Sequence, residues 1–170
     1  MTALQIVFLL TSGVTLLAAA LVVMVRNLFH AALWLVVTLF GVAIIFALLE
    51  ANFLVAAQVA LYIGAISILI IFAVMLTQNI MKYTMPQGNQ QWPIGLAVAI
   101  VTFVGLAYTL GQVPQFAQGP QAAVPADSLT RLGQAMVDPT QFALVFEVAS
   151  VLLLAAFVGS IMVARDRKTR

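Results

Sequence analysis

Long apolar runs alternate with short polar breaks along this 170-residue chain. Five runs stand out, at about Leu4–Val25, Leu28–Leu49, Phe53–Thr77, Ile94–Gln112 and Phe142–Ala164. Each holds roughly 19 to 25 residues, the length a helix needs to cross a hydrocarbon core of ~30 Å. All six prolines fall between the runs or at a helix start, where a missing N–H costs least. The breaks Arg26-Asn27 and Glu50-Ala51-Asn52 are so short that the first three helices must be antiparallel neighbours. The segment 78–93 reads as a short polar loop. The segment 113–141 is longer, rich in Pro, Gly and Gln, and mostly irregular. Within it, Asp127 or Ser128 can cap a short helix with Leu129, Leu132 and Met136 on one face, ending before Asp138-Pro139. That helix is expected to lie on the membrane surface. The pattern contains no internal repeat of the kind that marks inverted-repeat transporters.

Composition agrees with the runs. The chain is 64% hydrophobic and 7% charged, against about a quarter charged in soluble domains. So few charges cannot cover a soluble surface, and the reading is an all-α integral membrane protein of five transmembrane helices in one membrane domain. No positively charged stretch precedes the first run, so that helix is expected to be retained rather than cleaved as a leader. Orientation follows from the cations. With five spans, Arg26, Lys82, Arg165, Arg167, Lys168 and Arg170 share one side, and Arg131 alone holds the other. Short loops rich in Lys and Arg stay cytoplasmic, which places the N-terminus outside and the C-terminus in the cytoplasm.

Few residues are equipped for chemistry. The chain has no cysteine and one histidine, His30, which excludes thiolate-bound zinc and cysteine-ligated iron–sulfur clusters. No Walker loop, dinucleotide fingerprint, hydrolase triad or metal-ligand spacing occurs. The polar residues inside the third run are therefore the informative ones. Gln58, Tyr62, Gly64 and Ser67 interrupt 25 uncharged residues, Phe53 to Thr77. Polar groups and glycine inside a span point to close helix packing, a water path or a local backbone irregularity. Gln58 and Tyr62 stand four apart, on one face of an α-helix, so a buried Tyr62 hydroxyl finds its partner in Gln58 or a neighbouring helix. Gly64 is a close-packing site or a weak point where the helix bulges. Glu147 is the one charged residue well inside a span, about five residues into the last run. A membrane-buried acid serves proton or charge coupling, or else meets the interface or a partner chain. His30 and Glu50 sit at helix ends, with Trp34 and Trp92 as packing or interface residues.

Three blocks carry a family resemblance. They are Val25-Arg26-Asn27-Leu28-Phe29-His30-Ala31-Ala32-Leu33; Gln58-Val59-Ala60-Leu61-Tyr62-Ile63-Gly64-Ala65-Ile66 with Phe72-Ala73-Val74-Met75-Leu76; and Phe146-Glu147-Val148-Ala149-Ser150-Val151-Leu152-Leu153-Leu154 with Gly159-Ser160-Ile161. In order and spacing they resemble subunit J of bacterial NADH-quinone oxidoreductase, respiratory complex I, the counterpart of mitochondrial subunit 6. The resemblance implies a non-catalytic membrane-arm subunit of a proton-pumping complex in the bacterial inner membrane, with the same five helices and external N-terminus. It implies no cofactor on this chain, with NADH, FMN, iron–sulfur clusters and quinone handled by other subunits. Its implied partners are subunits A, H and K, an antiporter-like subunit and the lipid bilayer, with no nucleic acid. It further implies a π-type bulge around Tyr62 and Gly64 in the third helix, whose rearrangement opens and closes a water path coupling quinone reduction to proton translocation. Some relatives carry glutamate where this chain has Gln58. Glutamine takes up no proton, so direct relay at that position is replaced by hydrogen bonding. The equivalent subunit of a ferredoxin-dependent photosynthetic quinone reductase, or of a multisubunit cation/proton antiporter, is the alternative reading.

Overall fold

The computed structural model describes residues 2–77, 91–113, 125 and 127–165. Much of the two loops expected at 78–93 and 113–141 lies outside these residues, as do the cations Lys82, Arg167, Lys168 and Arg170. The described chain is helical: α1 (Ala3–Met24), α2 (Leu28–Leu48), α3 (Asn52–Leu76), α4 (Trp92–Gly111), α5 (Ser128–Val137) and α6 (Ala143–Ala164). Five of them, all but α5, are long and apolar enough to cross a membrane. Two compact units divide the chain, Met1–Gln121 and Ala122–Arg170.

In the first unit, α2 packs against both α1 and α3. The turn into α2 is set by Asn27, whose Oδ1 accepts the backbone N–H groups of Phe29 (2.9 Å) and His30 (3.4 Å), satisfying donors that the first turn leaves free. Small residues bring α1 and α2 close. Thr15 and Ala18 of α1 and Ala31, Ala32, Gly41 and Ala43 of α2 are buried. In lipid no hydrophobic force drives helices together, so such close approach is the main source of packing energy. Hydroxyls inside the spans are largely satisfied by their own helix: Thr15 Oγ1 donates to the Thr11 carbonyl (2.7 Å), Thr38 to Trp34 (2.9 Å) and Thr102 to Val98 (2.8 Å). Ser12 Oγ is a buried hydroxyl without a partner among the described residues.

The α2–α3 turn closes on Glu50. Its backbone N–H donates to the Ala47 carbonyl (3.0 Å) and that of Ala51 to Phe46 (3.0 Å), the paired bonds of a Schellman ending. The residue at its centre must be left-handed, and Glu50 has φ 57°. Glycine is the usual occupant there because a Cβ is strained in that region. α4 starts at Trp92, with Pro93 in its first turn where no N–H is needed, and none of its side chains is buried.

In the second unit, α5 and α6 meet through a hydrogen-bonded corner. Asp138 Oδ1 accepts the Thr140 N–H (2.9 Å) and hydroxyl (2.7 Å), and Oδ2 accepts the Gln141 amide (2.9 Å). The Thr140 N–H, then its hydroxyl, then the Gln141 amide hold this carboxyl below its ordinary 3.8. α5 matches the short helix expected after Asp127, with one difference. Asp127 makes no side-chain cap, because its carboxylate instead takes Arg131 Nε one turn on, at 2.8 Å.

Candidate functional site: the π-wound segment of the third helix

α3 is α-helical at Asn52–Ala57 and again at Ile68–Leu76, but from Gln58 to Ser67 it is a π-helix. A π-helix is wound by N–H groups that bond carbonyls five residues back instead of four. Such winding is rare, occurs mostly as single turns, and gathers at functional sites. A ten-residue stretch inside a spanning helix is thus a marked departure. The four residues picked out in this helix, Gln58, Tyr62, Gly64 and Ser67, all fall within it.

The burial pattern records the change of winding. The positions of α3 that are not exposed are Val55, Ala57, Gln58, Ile63, Ser67, Ile70, Ile71 and Val74. Outside the segment they recur every three or four residues, as an α-helix requires. Inside it the steps from Gln58 to Ile63 and from Ile63 to Ser67 are five and four. At ~3.6 residues per turn, Gln58 and Ser67 would stand on opposite faces. The wider winding brings both to the packed side, where they are 6% and 1% exposed.

Each side chain then has a defined place. Gln58 Nε2 donates to the Leu39 carbonyl of α2 at 3.3 Å, a side-chain hydrogen bond between two spans. Ser67 Oγ donates to the Tyr62 carbonyl, five residues back, at 2.8 Å, reinforcing the π register. Gly64 is exposed, and a Cβ there would meet one neighbouring atom among the described residues, the Val59 carbonyl oxygen at 3.2 Å. The neighbour belongs to its own helix, where the winding brings a carbonyl against this position. Among the described residues no other helix comes within 4 Å of that Cβ position.

Tyr62 is not buried and is not joined to Gln58. Its side chain is 48% exposed, and its hydroxyl has no partner among the described residues. The four-residue spacing assumed α winding. In the π segment the inward position after Gln58 passes to Ile63, and Tyr62 turns to the flank. Glu147 lies in the other unit. It is the fifth residue of α6, exposed, with no hydrogen bond or ion pair among the described residues. The described residues hold no cluster of His, Cys, Asp or Glu able to bind a metal.

One close contact carried no signal that was read in the sequence. A Cβ on Gly41 would overlap Thr15 Oγ1 and come within 3.0 Å of its Cβ. Glycine in α2 facing a hydroxyl residue in α1 is the small-residue signature that could have found it.

Five apolar spans, the third of them π-wound and carrying polar residues, define a multi-pass membrane protein. Residues 18–163 match the family NADH-ubiquinone/plastoquinone oxidoreductase chain 6, and the chain belongs to that family, the membrane subunit J or 6 of NADH-quinone oxidoreductase. It is 36% identical over 169 residues to the F(420)H(2) dehydrogenase subunit J of Methanosarcina mazei, covering 96% of this chain and 92% of the relative. It is 31% identical over 158 residues to the NAD(P)H-quinone oxidoreductase chain 6 of Synechocystis, covering 93% and 79%. Against the NADH-quinone oxidoreductase subunit J of Rhodobacter capsulatus it is 30% identical over 175 residues, covering 99% and 85%.

Proposed function

We propose that this chain is a membrane-arm subunit of a proton-pumping NADH-quinone oxidoreductase in which α3 gates a water path between quinone reduction and proton translocation. The observation that carries the reading is the π segment, Gln58–Ser67, set between two regular α segments of one span. A π turn and an α turn of the same residues differ by one hydrogen-bond register, so the two forms lie close in energy and can switch. Rewinding as α would carry the inward position after Gln58 from Ile63 back to Tyr62. It would break the Ser67 Oγ bond to the Tyr62 carbonyl and rotate the rest of α3 by about 100° per residue gained. A phenol would then stand in the α2 interface beside the Gln58 amide, where a hydrocarbon side chain stands now. Exchange of a polar for an apolar group at one depth makes or breaks a chain of water. Gln58 orients water and carries no proton. Glu147 is the ionisable group of the spans suited to pass one on.

The subunit sits in the bacterial inner membrane with its N-terminus outside, against subunits A, H and K and an antiporter-like subunit. FMN, iron–sulfur clusters and quinone are held by those and other subunits. NADH is the donor in this reading. The relatives' names specify F(420)H(2), NAD(P)H or NADH, and the donor-binding surface is expected outside this chain.

The test is Gly64→Val in the assembled complex. Its side chain must press on the Val59 carbonyl, whose oxygen a Cβ already meets at 3.2 Å. Crowding of ~1–2 kcal/mol should cut quinone-linked turnover and proton pumping roughly tenfold with assembly intact. Tyr62→Phe should lower the same activities by less. Wild-type turnover and pumping in Gly64→Val would overturn the moving-helix account.

A further inference from the structure

The short helix α5 has a use that the quinone reductase reading does not assign. Leu129, Leu132 and Met136 recur at helical spacing along one face, and Thr130, Arg131 and Gln134 occupy the other. Leu129 is 59% exposed and Leu132 and Met136 remain more than a third exposed. The corner that follows fixes where this face can go. Only five residues separate Val137 from Ala143, the start of a helix apolar enough to cross a membrane. They are folded back on themselves, with Phe142 N–H donating to the Ala135 carbonyl inside α5 at 3.1 Å and Gln141 and Ala143 N–H donating to Asp138 O at 3.0 and 3.3 Å. The last turn of α5 is thus one hydrogen bond from the first turn of α6. When α6 spans, α5 is held at the boundary between headgroups and acyl chains.

We infer that α5 is an interfacial helix that inserts its Leu129–Leu132–Met136 face into the bilayer surface by apolar contact, with no need for anionic lipid. The second half follows from charge. Arg131, the one cation of α5, is paired with Asp127 at 2.8 Å, so the polar face offers no free positive charge to a headgroup phosphate. Helices that bind through lipid charge carry several Lys or Arg on that face.

The chain contains no cysteine, so single-cysteine variants of the full chain can be spin-labelled without background. Labels at Leu129, Leu132, Met136, Arg131 and Gln134 are compared in phosphatidylcholine vesicles, with and without anionic phosphatidylglycerol. The first three should collide with oxygen at least threefold more than with a water-soluble nickel chelate, and the last two should do the reverse, in both lipids. Equal nickel access at all five positions would place α5 in water and overturn the inference. Protection of the apolar face from both reagents would mean a protein cover and also overturn it. Insertion seen only with anionic lipid would overturn its second half. A check in the assembled complex avoids dependence on labelled variants. Leu132→Glu should raise proteolysis of this segment severalfold and Gln134→Glu should not; equal effects would count against the inference.

Discussion

Gly41 and Gly64 are both glycines in adjacent spans, and they are needed for opposite reasons. Gly41 is closed in by another helix, with Thr15 filling the space a side chain would take. Gly64 is exposed and, among the described residues, is crowded by a carbonyl of its own helix alone. The first lets two helices lock. The second lets one helix wind wide. In the proposed reading the α1–α2 crossing, centred on the Gly41–Thr15 contact, is the fixed part of this subunit. The Gln58–Ser67 segment is, in the same reading, the changeable part, packed on α2 and joined to it by the side-chain bond from Gln58. A membrane protein that must move one span without losing its fold needs both.

The comparison is broken most strongly at the crossing. Gly41→Val should separate α1 from α2 at a cost of ~3 kcal/mol or more, seen as loss of the subunit from assembled complexes. Adding Thr15→Ala to Gly41→Ala should restore assembly, because it removes the overlapping Oγ1. No rescue would mean that the two residues do not meet. The Gly64→Val effect comes next, and it should appear in turnover rather than assembly. If both glycine variants failed in the same way, the distinction between a fixed and a changeable region would fall.

At the join of the two regions, Glu50→Gly should stabilise the chain by about 1 kcal/mol, by releasing the left-handed strain of a residue with φ 57°. A raised thermal midpoint with unchanged turnover is the expected result. The smallest effect lies at the α5–α6 corner. Hydrogen bonds from Thr140 and Gln141 lower the Asp138 pKa from 3.8. A lowered folded pKa contributes stability that is fully present above 3.8 and lost as pH falls through the lower value. Protection of the Thr140 amide against hydrogen exchange, corrected for intrinsic rate, should drop below that pH. In Asp138→Asn it should be weaker at neutral pH and nearly independent of pH.

The spans were legible because the bilayer imposes a length on any helix that crosses it, and the helices observed begin and end within two residues of the apolar runs. The residues of the π segment were legible as a group, since Gln58, Tyr62, Gly64 and Ser67 are anomalous in so apolar a stretch. Their facing was not. A face assignment from residue spacing presumes a winding, and a spacing of four pairs Gln58 with Tyr62 only at ~3.6 residues per turn. The observed winding pairs Gln58 with Ser67, nine residues on. The Gly41–Thr15 contact was hidden for another reason. Gly41 and Thr15 stand 26 residues apart in different runs, so a glycine in one and a hydroxyl residue in the other do not by themselves say that the two meet. The Asp127 cap was lost to a competitor, Arg131, one turn away.

The most direct measurement is hydrogen exchange of the assembled complex, at rest and during quinone reduction, resolved to the amides of Gln58–Ser67 and of Ala31–Ala43. The account predicts that the π segment exchanges faster than the crossing at rest and that turnover changes its protection alone. Equal protection of the two segments, unaltered by turnover, would contradict it.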